Sequence, residues 1–282
     1  MTNGNDKVGL DYEFLESEES FYRAYKEAVK ESLAEEGLYS EGQLLVLNEK
    51  ADNMRTPFTT GYAQGLFNLM TWFRWDYGLV FFVLAFALAG LFSKDGAGGV
   101  TELALSSRYG RGRNLNARWI AGNLFSAGVY LIYLAVQVTV NGAIGTLAGW
   151  NLSAQMLWCD CLYDMTLGDG LLILFFGGLL GALVIGNLVM LFSIKFKNAK
   201  AAAALSVIAV LLIRRTGNME GLYGTIELLS PMHFGQSSLV RMYRFVGNVA
   251  VPYFAAVFVV ATLYVAVLYT GVRRSCKTYR IS

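Results

Sequence analysis

Histidine, proline and cysteine are nearly absent from this sequence. Its 282 residues include one histidine, three prolines and three cysteines. Three cysteines cannot build a disulfide framework, and the close pair Cys159 and Cys161 has no second half with which to form a zinc site. Cys159, Asp160 and Cys161 with the lone His233 make the one conceivable set of metal ligands. Small residues near a membrane interface are the plainer reading. A single histidine leaves nucleophilic triads one candidate base. No His-Glu-x-x-His occurs, and no Gly-x-x-x-x-Gly-Lys-Ser/Thr occurs, so ATP is not bound through a P-loop. Neither a catalytic centre nor a cofactor is expected.

Charge is scarce as well. Only 16% of residues are charged, against about 25% in a typical soluble domain. Hydrophobic residues make up 55% and mean hydropathy is +0.44. These values exclude a soluble globular domain, a disordered chain and a collagen-like or disulfide scaffold. Nor is the little charge evenly spread. Residues 1–76 carry 14 acids and 7 bases, and residues 77–282 carry 7 acids and 16 bases. The basic clusters read as membrane topology signals rather than as a nucleic-acid surface.

Residues 1–76 form a polar head with no apolar run of the kind a signal peptide needs. Between Tyr12 and Glu36 the apolar residues Phe14/Leu15, Phe21/Tyr22, Tyr25, Val29 and Leu33 recur at helical spacing, and Gly37 is a plausible stop. A second apolar stretch, Leu44 to Leu47, follows Gly42. The pattern suggests a helical hairpin, either a solvated cap over the membrane part or a partner-binding element.

The membrane part, 77–282, begins with an apolar run over about 77–93, preceded by Trp72 and Trp75 as interfacial anchors. Further runs cover 120–147, 170–194, 199–213 and 249–272. About 17–25 apolar residues cross a bilayer, so 199–213 is short and either spans or re-enters. The expected fold class is all-α, a polytopic transmembrane helix bundle with a small polar helical N-terminal head. Gly145 and Gly149, and Gly177 and Gly181, are spaced for close helix approach, which is what drives packing in lipid.

Orientation follows from Lys and Arg. Lys94, Arg108, Arg111, Arg113 and Arg118 lie between the first two runs, and Lys195, Lys197 and Lys200 between the third and fourth. Arg273, Arg274, Lys277 and Arg280 end the chain. These segments belong in the cytoplasm, with the C-terminus inside. Residues 148–169 hold no Lys or Arg and belong outside, as does the acidic head. The segment 214–248 should also be outside, yet it carries Arg214, Arg215, Arg241 and Arg244. Those arginines either snorkel at the outer interface or sit in short re-entrant helices with partners of their own.

The first cytoplasmic loop carries most of the functional information. Gly96, Gly98 and Gly99 break the chain before a short helix from about Val100 to Ser107, which Thr101 can cap with Glu102 in its first turn. The order Phe92, Asp95, Gly96, then Glu102-Leu103-Ala104-Leu105-Ser106-Ser107, then Gly110-Arg111 resembles the loop of type-2 ABC exporter permeases. Gly149-Trp150-Asn151-Leu152-Ser153 is similar to an outer motif of Gram-positive members, with Ser153 standing where proline is expected. Leu191-Phe192-Ser193 before Lys195-Phe196-Lys197-Asn198 is similar to the end of a span and its inner loop.

The resemblance covers about residue 60 to the end. It implies a membrane-spanning subunit without catalysis of its own, located in the bacterial cytoplasmic membrane. It also implies a homo- or heterodimer with another permease protomer, and a separate ABC ATPase subunit seated on Glu102, Leu103, Leu105, Ser106, Ser107 and Arg111. The family's first span is missing here, so the expectation is that the natural product begins further upstream. Two other classes stand beside the transporter. One is a membrane-anchored binding or sensory subunit with an outward acidic head. The other is an intramembrane enzyme, which the lack of paired acids or histidines in the runs argues against.

Overall fold

The computed structural model describes residues 17–35, 37, 39–93, 113–196, 198–216, 231, 234, 237–240, 243–247 and 249–278. The protein is mostly helical. Two polar helices come first, α1 (Glu18–Glu35) and α2 (Glu41–Asp52). Longer helices follow: α3 (Gln64–Leu88), α4 (Arg113–Gly145), α5 (Leu167–Lys195) and α6 (Ala199–Thr216). A two-stranded hairpin, β1 (Tyr243–Val246) and β2 (Val249–Pro252), leads into α7 (Tyr253–Thr278). α4, α5 and α7 are long and apolar enough to cross a membrane, and Tyr77–Leu88 and Ala199–Leu212 are shorter apolar helical stretches.

Local sequence explains where these helices start. Ser17 and Ser20 exchange backbone-to-hydroxyl hydrogen bonds at 3.1 and 3.2 Å across the first turn of α1. At α2, Gln43 Oε1 accepts from the Ser40 backbone at 3.1 Å. At α5, Thr166 and Asp169 cap each other: the Thr166 N–H donates to Asp169 Oδ2 at 3.0 Å and the Asp169 N–H to Thr166 Oγ1 at 3.2 Å. Each arrangement satisfies N–H groups that a helix start leaves without intrahelical partners. Asn198 Oδ1 does the same at α6, accepting from the Lys200 N–H at 2.9 Å.

The chain divides into two compact units. The first takes residues 1–71, 140–174 and 237–256. In it, α1 buries Tyr25, Val29 and Leu33, the stripe read from the sequence, and α2 buries Leu47 and Ala51. Lys30 joins the two helices, pairing with Asp52 at 2.7 Å and with Glu27 at 2.9 Å. Loop 146–166 belongs to the same unit. The Thr59 N–H donates to Ser153 Oγ at 3.0 Å, and the Ser153 N–H donates to the Thr59 carbonyl at 3.1 Å. The hairpin belongs there too, with Tyr243 opposite Pro252 and Val246 opposite Val249. Gly65 meets the end of α4 so closely that a Cβ there would lie 1.7 Å from the Thr146 carbonyl oxygen. Gly145 faces the same crossing, but the helix ends there and Gly149 takes φ 98° in the following turn, so the two do not share a helix face as their spacing suggested.

The second unit takes residues 72–139, 175–236 and 257–282. Its core joins Phe81 and Leu84 of α3, Tyr130 of α4, Ile185 and Val189 of α5, and Val210 of α6. α6 is one continuous helix of 18 residues, about 27 Å long at 1.5 Å per residue. Glycines again mark tight contacts. A Cβ at Gly186 of α5 would lie 2.2 Å from Ser126 Oγ of α4.

The hairpin corrects two expectations. The last apolar run, read as a span from 249, is helical only from Tyr253, because Val249–Pro252 pair with β1 as a strand. β-branched Val249 and Val251 suit a pleated ladder, and Gly247 takes φ 63°, the left-handed conformation a two-residue hairpin loop requires. Arg244 is a strand residue, not part of a re-entrant helix. Its guanidinium carbon lies 4.7 Å from the centre of the Tyr253 ring.

Candidate functional site

The predicted coupling residues Glu102, Leu103, Leu105, Ser106, Ser107 and Arg111 lie outside the described residues, as does His233. Both ends of the loop that carries the coupling residues are described, and both are tied into the second unit. Past α3, the Phe92 N–H donates to Ser193 Oγ of α5 at 2.9 Å. The same hydroxyl donates to the Ala89 carbonyl at 2.8 Å, where Ser93 Oγ also donates at 2.8 Å. From α4, Arg118 Nη1 donates to the Leu91 carbonyl at 3.2 Å, Nε donates to Asn114 Oδ1 at 3.1 Å, and the guanidinium lies 6.0 Å from the Phe92 ring centre. Beneath these contacts, Phe92, Trp119 and Leu191 pack around buried Leu115, Ile194 and Val272. The carbonyls that a helix end leaves open are thus taken up by side chains of two neighbouring helices. A displacement of the loop at Phe92 would be felt by α4 and α5 directly.

An amide network follows the contact between α4 and α5. Trp119 Nε1 donates to Asn187 Oδ1 at 2.6 Å, and Asn187 Nδ2 donates to Asn123 Oδ1 at 2.8 Å and to the Leu183 carbonyl at 2.8 Å. Asn123 Nδ2 returns to the Trp119 carbonyl at 2.9 Å. Asn187 is fully buried, and its donors and acceptor are engaged, as a polar side chain in an apolar helix requires. On the outer side of Trp119, the Tyr269 ring of α7 lies 4.6 Å away between centres. The sequence reading used Arg118 only as a topology signal and Ser193 only as part of a resemblance, and it passed over Asn123 and Asn187. A lone Asn inside an apolar run was the available signal, since in lipid such a residue needs a partner on another helix.

The cysteine pair in the first unit has a structural setting. Cys161 is buried and its thiol donates to the Val240 carbonyl at 3.1 Å. Gln155 Nε2 donates to the Tyr163 carbonyl at 2.8 Å and to the Cys161 carbonyl at 3.3 Å. The Tyr25 hydroxyl of α1 donates to the Cys159 carbonyl at 2.5 Å. Burial, assisted by the nearby Cys159 and Asp160, pushes the Tyr25 phenol above its ordinary pKa, so it remains a donor. The Tyr163 phenol is raised in the same way, chiefly by burial, and its oxygen accepts from the Tyr253 N–H at 3.2 Å. Among the described residues, no three His, Cys, Asp or Glu side chains gather as metal ligands. The arrangement is that of a packed loop, with the thiol as a small core residue.

Comparison of the chain with protein-family models, with curated proteins and with solved structures finds no match.

Proposed function

We propose that this protein is the membrane-spanning permease subunit of an ATP-driven ABC exporter, multi-pass in a bacterial cytoplasmic membrane with its C-terminus inside. ATP is hydrolysed by a separate ATPase subunit, and substrate moves along the interface with a second permease protomer. α3 to α7 supply its helical bundle, and the polar N-terminal segment with α1 and α2 is the extracytoplasmic head. The observation that carries the reading is the double tether of the first inner loop. A loop that receives a push from a motor must pass it to the spans, and the bonds from Phe92 to Ser193 and from Arg118 to Leu91 give it a stiff route to α5 and α4. The loop sequence with Glu102 at a helix start, and the clusters of Lys and Arg on one side, support the same assignment.

The test is Glu102→Lys in the full chain, co-expressed with an ABC ATPase if one is encoded in a neighbouring reading frame. The variant is expected to lose the co-purifying ATPase, or to hydrolyse ATP without export, at an unchanged unfolding temperature. A bound ATPase with unimpaired export would remove the coupling role. A second reading is favoured by the separate core of the first unit: a membrane-anchored sensory or binding subunit that works without an ATPase. It is distinguished by export that persists, or never occurs, irrespective of any ATPase.

A further inference from the structure

A groove of about 170 Å³ opens on the first unit, lined by Tyr62, Gln64, Phe67, Met156, Leu157 and Leu167, with Gly61 and Ala63 behind them. Among the described residues, no charged side chain lines it. Three of its residues are open to the surroundings, Tyr62 at 65% exposed, Met156 at 40% and Phe67 at 38%, over buried Leu167. Exposed apolar patches of this kind mark partner or membrane contacts.

The height of the groove along the helices is fixed by its neighbours. Leu167 opens α5, the most apolar of the long helices. Two indoles are pinned on the first turn of that helix. A Cβ at Gly168 would lie 2.8 Å from Trp150 Cε3, and one at Gly170 would lie 3.0 Å from Trp158 Cζ3. The Gly168 N–H also donates to the Trp150 carbonyl at 2.9 Å. Trp158 is buried in the first unit, whereas Trp150 is 38% exposed, and a tryptophan open at the mouth of an apolar helix sits at the headgroup level of a bilayer. The groove shares that turn through Leu167, and it also takes in the start of α3 at Gln64 and Phe67. Its polar atoms, the Tyr62 hydroxyl and the Gln64 amide, suit the ester oxygens found at that depth. Its volume accommodates about six water-sized groups, which is a short stretch of acyl chain rather than a whole lipid.

We propose that this groove is a lipid-binding notch at the membrane interface, in which Tyr62, Phe67 and Met156 hold the upper acyl chain of a bilayer phospholipid. The notch joins the first unit to the bilayer and not only to the ends of the helices. The inference rests on the membrane-embedded part of the reading above and is independent of the ATPase.

The full-length protein, reconstituted in phosphatidylethanolamine–phosphatidylglycerol vesicles, tests it by photocrosslinking. Phe67 is replaced by p-benzoylphenylalanine in one sample and Ile132, an exposed residue of α4, in another. Mass spectrometry then identifies the adducts. Phospholipid adducts are expected at both positions. Met156→Asp is expected to lower the Phe67 adduct about fivefold, the size of a charge effect near an interface, with the Ile132 adduct unchanged, and Met156→Leu to preserve both. An Ile132 adduct without one at Phe67, a protein adduct at Phe67, or an equal loss at both positions in Met156→Asp would overturn the notch. Absence of lipid at Ile132 would overturn membrane embedding itself, and the notch with it.

Discussion

The two units use the same residue types to opposite ends. In the first, the tyrosines close the distance between chain segments far apart in sequence. Tyr25 ends on the Cys159 carbonyl, the Tyr22 hydroxyl accepts from the Phe58 N–H at 3.1 Å, and the Tyr163 and Tyr243 rings lie 4.5 Å apart. In the second, Tyr77 and Tyr130 donate to carbonyls of one helix, α5, at Gly178 and Phe175. Loop carbonyls need partners because no ladder supplies them. Helix carbonyls already have theirs, so the second contact adds attachment between helices and leaves no group to be rescued. The glycines divide less cleanly, since Gly65 and Gly145 of the first unit also meet closely. Gly149 and Gly247 of the first unit permit turns, at φ 98° and 63°. Gly122, Gly181 and Gly186 of the second unit let helices approach. Water drives apolar burial, whereas lipid offers helices no such drive and leaves close packing and hydrogen bonds to join them.

The largest expected effect is at Gly181. A Cβ there would lie 2.7 Å from the backbone carbonyl oxygen of Pro231 and still closer to the Tyr77 hydroxyl. Backbone cannot move aside cheaply, so Gly181→Val should cost roughly 3 kcal/mol or more, at the upper end for overpacking. Gly128 of α4 is the control, because nothing stands within 4 Å of its Cβ position. Thermal unfolding in detergent is expected to show a clear loss for Gly181→Val and almost none for Gly128→Ala. Equal effects at the two sites would mean that close approach is not what the second unit uses glycine for.

Asn187→Leu comes next. It leaves Trp119 Nε1 without its acceptor and Asn123 Oδ1 without its donor, while filling the same space with an apolar side chain. Interhelical hydrogen bonds in membranes contribute about 0.6 kcal/mol on average and at most about 1.7. A loss of about 1–2 kcal/mol is expected, with red-shifted or quench-altered Trp119 fluorescence reporting the freed indole. A double variant with Trp119→Phe should be less than additive, since both changes remove one bond. Full additivity would show that the amide acts elsewhere than on Trp119.

Much of this architecture was legible in the residues, and its failures have physical causes. The stripe Tyr25, Val29 and Leu33 predicted the buried face of α1 because water on the other side enforces the period. The apolar runs located α4, α5 and α7. They set the start of α3 too late, because Arg74 and Asp76 interrupt hydropathy but do not stop a helix, which begins at Gln64. The hairpin hid inside a run, since Val-Ala-Val is equally apolar in a strand and in a span. The Gly247-Asn248 pair followed by Pro252 was the turn signal that distinguishes the two. The assembly of the first unit from three distant segments left no mark at all, because pairs such as Thr59 with Ser153 are ordinary residues made specific only by the fold. Of the candidate site, the loop residues lie outside the described residues, and their anchors were not legible, for Ser193 and Arg118 act through backbone carbonyls that any residue can offer.

The smallest expected effect belongs to the first unit and concerns pH. The Tyr25 phenol is held above the ordinary tyrosine value of about 10 in the folded protein, first by burial and then by the neighbouring Cys159 and Asp160. For an acid whose folded pKa is raised, the folded state binds the proton more tightly than the unfolded one. The stabilisation from keeping Tyr25 neutral is therefore fully present below about pH 10 and declines as pH rises beyond it. Hydrogen exchange of the α1 amides at two alkaline pH values reads the local stability. It should fall more steeply above pH 10 in the native protein than in Tyr25→Phe. At neutral pH the same variant should lose about 1 kcal/mol, the net contribution of a hydroxyl bonded to a carbonyl. The ladder of α5 should not respond, because its carbonyls keep their helical partners whether or not the first unit loosens. An alkaline slope identical in Tyr25→Phe would assign the loss to other groups. A parallel loss in α5 would mean that the two units unfold as one.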